Sequence, residues 1–286
     1  VTVEAEAMKS SDLKVVMLDE TPRFDTALYS SGAAEARLGF KGPKLLALLE
    51  AACARTLTEE EEVSKVSLFG TNKQVMECSE RMMEKRAAAR GLTVANGGVY
   101  RYVAPEARNH EEDDVNKLRT YGFERITFVR GEEYLLLVKT TEEEEAEPDD
   151  PQALKFDNGA YATGNAPCIC VGWKEGEYVE VRVKRRPASS ATIKVPLMER
   201  TVGGVTLPLF ALKPSRERVV DLAQGLEWDG VVEVDASRIF GSGKLYVAIT
   251  RARRQGNLRV TNLQPTVGGL KSVLRSSWRG LPGRSG

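Results

Sequence analysis

Histidine occurs once in this 286-residue chain, as His110, and cysteine four times, as Cys53, Cys78, Cys168 and Cys170. So few thiols, so unevenly spaced, cannot make a disulfide framework, and an intracellular protein is expected. Cys168 and Cys170 would share one face of a strand, but a lone histidine in a polar, acidic stretch leaves no zinc set to complete. No apolar run approaches the roughly 18 residues of a membrane span, and no secretory signal opens the chain, so no membrane partner is expected. An excess of either charge is missing too, since 41 Lys and Arg face 41 Asp and Glu. Any nucleic-acid contact must therefore come from local patches. The chain opens at Val1 on residues that read like the inside of a domain, and a fragment of a longer polypeptide is expected.

The length allows one large or two modest domains, and a hydrophobic fraction of 42% suits a folded globular chain. Residues 223–254 organise the rest. They read as a glycine turn, an apolar strand at 231–234, a glycine-rich connection, and a helix carrying Arg251, Arg253 and Arg254. A stiff element that ends in guanidinium groups at a sheet edge suits phosphate oxygens. At about 100° per residue, Arg251 and Arg254 share a helix face while Arg253 points away.

A phosphate-cradling loop is not found. The one lookalike, Gly241, Ser242, Gly243 and Lys244, has Arg238 at the first glycine position and Leu245 where Ser or Thr would hold magnesium. Those glycines read as the turn before the arginine helix.

Gln224, Gly225 and Leu226, then Ser237, Arg238, Ile239 and Phe240, then YVAITRAR at 246–253, resemble the fifth and sixth motifs of the Pif-like DNA helicases. These are superfamily-one, 5′-to-3′ enzymes related to the RecD type, and the resemblance covers nearly the whole chain in the family's order. It implies an α/β fold: a second RecA-like motor domain with a parallel sheet and an inserted SH3-like β-barrel, the first motor domain being absent. Residues 1–20 would close the first RecA-like domain, 21–128 and 205–263 form the second, 129–204 make the insertion, and 264–286 a flexible basic tail. ATP and Mg2+ would be held mainly by the upstream domain. Arg251 and Arg23 would reach the nucleotide, while Gln224 and Gly225 couple it to a grip on single-stranded DNA. The family's roles in DNA repair, recombination and telomere maintenance, in a nucleus or mitochondrion for a eukaryote, come with the resemblance. The chain departs from it at Val220, Asp221 and Leu222, where the family has Thr, His and Lys, and at Phe24, where it has Gln.

Along the chain, residues 13–18 read as a short strand, and Arg23 follows on an expected loop where an ordinary ion-paired arginine is the alternative. Residues 26–50 are helical with a break near 39–43, and the acidic run 59–62 reads as a solvated loop. A strand at 63–69 leads to a helix from Thr71 and Asn72 to about Arg90, with Val75, Cys78 and Met82 on one face. Thr71 and Asn72 suit a phosphate contact at a strand-to-helix junction, which the family places on DNA, and equally suit a helix cap. Residues 91–119 read as irregular. Two strands flank Gly131, and 168–173 with 178–183 form a hairpin. Lys184 and Arg185 begin the insertion's best basic run, a DNA contact or plain solvated surface. Residues 205–212 lead back to the larger domain, and 258–261 is the last strand. A nucleic-acid-binding relative without catalysis, or a protein-interaction domain reusing the fold, are the rival classes.

Overall fold

The computed structural model describes residues 24–105, 112–137, 166–183, 192–239 and 243–263. Two helices come first, α1 (Ala27–Arg37) and α2 (Pro43–Ala54). Thr26 caps α1 by accepting from the Tyr29 amide at 3.1 Å. Glu35 on α1 accepts from the Leu45 amide at 2.6 Å and so closes the first turn of α2 behind Pro43. The acidic run is not a loop. It forms α3 (Glu59–Ser64), with Thr58 and Glu61 exchanging the two bonds of a capping box at 3.2 and 3.1 Å. Four glutamates in a first turn favour helix because they face its positive end.

The chain then enters β1 (Val66–Phe69) and α4 (Asn72–Ala89). Next come β2 (Val99–Val103), α5 (Glu112–Leu118), β3 (Arg125–Val129) and β4 (Glu133–Leu136). The stretch 91–119 thus holds a strand and a short helix among its described residues, in place of the expected irregular excursion: VYRYV buries Val99, Tyr100 and Tyr102, and β2 pairs antiparallel with β3. Strands β5 (Ala166–Lys174), β6 (Tyr178–Val183), β7 (Thr192–Val202), β8 (Val205–Phe210) and β9 (Leu212–Pro214) follow. The chain ends its described part with β10 (Glu217–Val219), β11 (Val232–Asp235), α6 (Lys244–Ile249) and β12 (Leu258–Thr261).

These strands make a parallel sheet of order β10-β1-β11-β12, a two-stranded pair of β2 and β3, and a six-stranded antiparallel sheet of order β8-β7-β6-β5-β4-β9. The expected hairpin at β5 and β6 is present, with Val179, Val181 and Val183 turned inward. Strand β8 differs from expectation: it pairs with β7, so the antiparallel sheet runs on to Pro214 and the chain returns to the parallel sheet only at β10. Val205, Leu207 and Leu209 alternate inward along β8, a pattern that suits a sheet with one wet face.

One face of the parallel sheet, with Val66, Leu68, Val232, Val234, Leu258 and Val260, packs on Tyr29, Leu45 and Leu48 of α1 and α2 and on Leu245 and Ile249 of α6. Helix α4 covers the other face. Its Val75, Met76, Met82 and Met83 share a second core with Phe69, Phe128, Tyr134 and the inner side of the antiparallel sheet. Cys168 and Cys170 lie in that core, where burial pushes both thiols up to about 12 and leaves them unreactive.

Helix α4 is fastened to the parallel sheet by a buried ion pair. Arg86 gives Glu217 of β10 two bonds, at 2.5 and 3.2 Å, and a third to the Val63 carbonyl at 3.0 Å. The two side chains are 2% and 0% exposed, so neither can fall back on water. Glu217→Ala, which strands the guanidinium, is expected to cost about 3–5 kcal/mol in urea unfolding, and an Arg86→Met/Glu217→Leu pair far less. A loss below about 1 kcal/mol for the single variant would show that the pair does not fasten the helix.

Candidate nucleic-acid interface

Strands β10, β1 and β11 run the same way, so their carboxyl ends meet at one edge of the sheet, where open α/β sheets hold their ligands. After Phe69 the chain turns through Gly70 and Thr71 into α4; after Asp235 it forms a 3-10 turn over Ala236–Arg238. The two turns approach so closely that a β-carbon on Gly70 would overlap the Arg238 carbonyl, which only glycine avoids. Gln74 Nε2 bridges the gap to Ser237 Oγ at 3.0 Å.

Between these walls lies a cleft of about 340 Å³ lined by Thr71, Lys73, Gln74, Glu77, Arg81, Asp235 and Arg238. Its two acids are Glu77, which is exposed, and Asp235. Asp235 is already engaged, accepting from Ser237 N at 2.9 Å and from Asn262 Nδ2 at 3.0 Å. Lys73, Arg81 and Arg238 are exposed, and Arg238 has no ion pair among the described residues. The first amides of α4 have no partner within the helix, so three cations and a helix amino terminus converge on one anion-attracting mouth.

Thr71 lines this cleft and is also the N-cap of α4, accepting from the Gln74 amide at 3.3 Å. Asn72 follows it, but its Oδ1 turns to Lys213 Nζ of β9 at 3.0 Å. Sequence reading passed over Lys73 and Arg81, and placed Arg238 in a family motif without a role of its own. A signal existed, because Gln74, Glu77, Cys78 and Arg81 fall at i, i+3, i+4 and i+7 on one face of α4. Arg23, Lys184 and Arg185 lie outside the described residues, as do the strand expected at 13–18 and Phe240, Gly241 and Ser242.

A second cluster leaves the same edge after β10. Val220–Ala223 form a 3-10 turn, and Gly225, at φ 81°, bends the exposed Gln224 loop back. Arg251 grips this loop: its Nη1 donates to Leu226 O at 2.8 Å and to Ala223 O at 3.4 Å. Its Nε donates to Val247 O at 2.7 Å and its Nη2 to Thr250 Oγ1 at 3.0 Å, and the residue is 6% exposed. The expected arginine helix is shorter than read, because α6 stops at Ile249. Residues 251–253 instead run beside Trp228, with Trp228 N to Arg251 O at 3.0 Å and Arg253 N to Trp228 O at 3.1 Å. The Tyr29 hydroxyl, 2.6 and 2.7 Å from the Ile249 and Ala252 carbonyls, takes up the chain ends that a longer helix would have used. Arg251 and Arg254 therefore share no helix face. Asp221, at the departure from the family motif, binds Lys244 Nζ at 2.7 Å.

Neither cluster suits the phosphates of a nucleotide and its metal unaided. Lys244 is taken by Asp221, α6 has only six residues, and no group of three or more His, Cys, Asp or Glu side chains converges among the described residues. No helix among them is long and apolar enough to cross a membrane.

A parallel sheet with helices on both faces, and a cleft at its carboxyl edge lined by three cations and two acids, defines an α/β domain. No protein-family model matches the chain, and no curated protein matches it. Solved structures do. The fold is similar to that of the Pif1 helicase from Candida albicans, at 17% identity and TM-score 0.56, over 86% of this chain and 54% of that one. It is similar to a Pif1 helicase from work on DNA unwinding at forked dsDNA by two coordinating copies, at 14% identity, TM-score 0.57, and 89% and 50% coverage. Pif1 from Bacteroides in complex with ADP-AlF3 and ssDNA matches at 14% identity, TM-score 0.55, and 90% and 53% coverage. The likeness is one of fold, and the chain spans about half the length of these helicases.

Because Arg251 closes the loop through main-chain carbonyls, Arg251→Ala leaves the Leu226 carbonyl without its donor and takes one of two donors from those of Val247 and Ala223, which keep Thr250 Oγ1 and the Leu226 amide. A loss of about 1–3 kcal/mol in urea unfolding is expected, with faster proteolytic cutting at 224–227. Unchanged stability and cutting would mean that the clasp does not hold the loop.

Proposed function

We propose that this chain is the C-terminal part of an ATP-dependent DNA helicase of the Pif kind. In this reading the parallel sheet is its second RecA-like domain, and the antiparallel sheet serves as the family's SH3-like insertion. The cleft of Lys73, Arg81 and Arg238 grips the backbone of single-stranded DNA. The observation that carries the reading is the convergence of these three cations with the amino end of α4 at the carboxyl edge of the sheet. Phosphates are met there by point charges and amides without reference to base, as a translocating enzyme requires.

ATP and Mg2+ belong, in this reading, to a domain outside the chain, which supplies the phosphate loop and the acidic site that are missing here. Arg251 is the residue of this chain that would answer the nucleotide. To do so it must exchange the carbonyls of Ala223 and Leu226 for phosphate oxygens, and that exchange frees the Gln224 loop. A second reading, a nucleic-acid-binding relative without catalysis, is favoured by the same burial of Arg251 and by the Asp221–Lys244 pair, which puts a carboxylate where the family has a histidine.

Two measurements separate these readings. Oligothymidylate binding by the chain should weaken for Lys73→Ala and for Arg238→Ala, each lowering the salt slope by about 0.7 per lost phosphate contact. Lys174→Ala, on exposed β5 surface, should do neither; equal behaviour of all three removes the cleft from DNA. In the parent chain, Arg251→Lys should reduce ATP turnover on the order of a thousandfold with single-strand affinity kept. Near-normal turnover would take Arg251 off the nucleotide, and a parent chain without ATPase leaves the binding relative.

A further inference from the structure

Lys213 is a charge kept where an apolar residue would pack. It lies on β9, 4% exposed, where the antiparallel sheet meets the head of α4. Its ammonium donates to Asn72 Oδ1 at 3.0 Å and lies 5.0 Å from the centroid of the Phe123 ring. The elements around it bring an amide from α4, an aromatic ring from the segment before β3, and Leu135 of β4 as its register partner. No carboxylate among the described residues pairs with it. Of the acids on the adjoining strands, Glu133 and Glu217 act on Arg218, and Glu217 is bound to Arg86.

A buried ammonium without a counter-ion is costly, and here burial alone brings the lysine down to about 8. Its one side-chain hydrogen bond among the described residues goes to the residue next to Thr71 and Lys73, which line the cleft. We propose that Lys213 is a positioning residue for that cleft: its ammonium fixes the Asn72 side chain at the first turn of α4 and holds positive charge behind the phosphate-facing loop. This rests on the nucleic-acid reading above. On losing its proton Lys213 keeps only a neutral, weaker bond to Asn72 and gives up its attraction for phosphate.

The experiment compares the wild-type chain with Lys213→Met and Lys213→Arg, titrating labelled oligothymidylate from pH 6.5 to 9.5 at fixed salt and melting each protein in parallel. Wild-type affinity is expected to fall several-fold as pH rises through about 8. Lys213→Arg should stay tight without that step, and Lys213→Met should be weak without it. The melts carry the opposite sign. Because the folded value is below the unfolded one, the native state is penalised below about 8 and relieved as pH climbs toward the unfolded lysine's. Lys213→Met should therefore melt higher than wild type at pH 7, with the gap closing by about pH 10. A structural lysine would give the reverse, lower melting with unchanged binding, and that result overturns the proposal. So does a Lys213→Met affinity that follows wild type across the range. If wild type binds no oligonucleotide at any pH, the nucleic-acid reading fails. The Asn72 side-chain amide resonance then decides the positioning claim: a shift with midpoint near 8 in wild type, absent in Lys213→Arg, upholds it, and a static signal ends it.

Discussion

Parallel pairing imposes one direction on β10, β1 and β11, and the whole site follows from that constraint. Three strand ends, Val219, Phe69 and Asp235, reach the same edge, and each is followed by a different element: a 3-10 turn, an 18-residue helix and a second 3-10 turn. Backbone donors and cations collect there because strand amides and carbonyls are spent within the ladder and only the departing turns have groups to offer. The close approach of Gly70 to Arg238 then fixes how far apart the two walls of the cleft stand.

Helix α4 answers to two sheets at once. Its methionines fill an irregular space between Phe69 on one side and Phe128 and Tyr134 on the other, a task suited to unbranched, polarizable side chains. Apolar packing of this kind is non-directional and would tolerate sliding along the helix axis. The Arg86–Glu217 pair is directional, and it sets the helix against β10 at one height. The head of the helix, with Thr71 and Lys73, is thereby held at the cleft from its far end.

Strong periodicity was legible. The break between α1 and α2, the inward face of α4, the β5–β6 hairpin and β12 all appear where apolar spacing and turn residues put them. What misled was local composition overruled by tertiary partners. TRARR favours continued helix, yet Trp228 offers residues 251–253 a bridge and Tyr29 takes up the released carbonyls. A glutamate run looks solvated until Thr58 supplies a cap. In the cleft, Thr71 was found by its junction and Arg81 could have been found by its helix face. Lys213 could not, since LKP reads as any strand, and its meaning depends on an asparagine brought to it only by folding. Arg251 was singled out as the guanidinium of its stretch, while its burial against the 223–226 carbonyls had no trace in the order of residues.

The antiparallel sheet is threaded between adjacent strands of the parallel one: β1 and β10 lie side by side, yet all of residues 70–216 separate them along the chain. Closing so long a loop costs little more than closing a shorter one if the intervening chain is already compact, since the entropic penalty grows only with the logarithm of length. Assembly is therefore hierarchical. Hairpins such as β5–β6 and β7–β8 are local and can form early, whereas β10 has no place to dock until they have drawn its two ends together. The sheet edge where β1 and β10 meet therefore forms only once the described strands between them have paired.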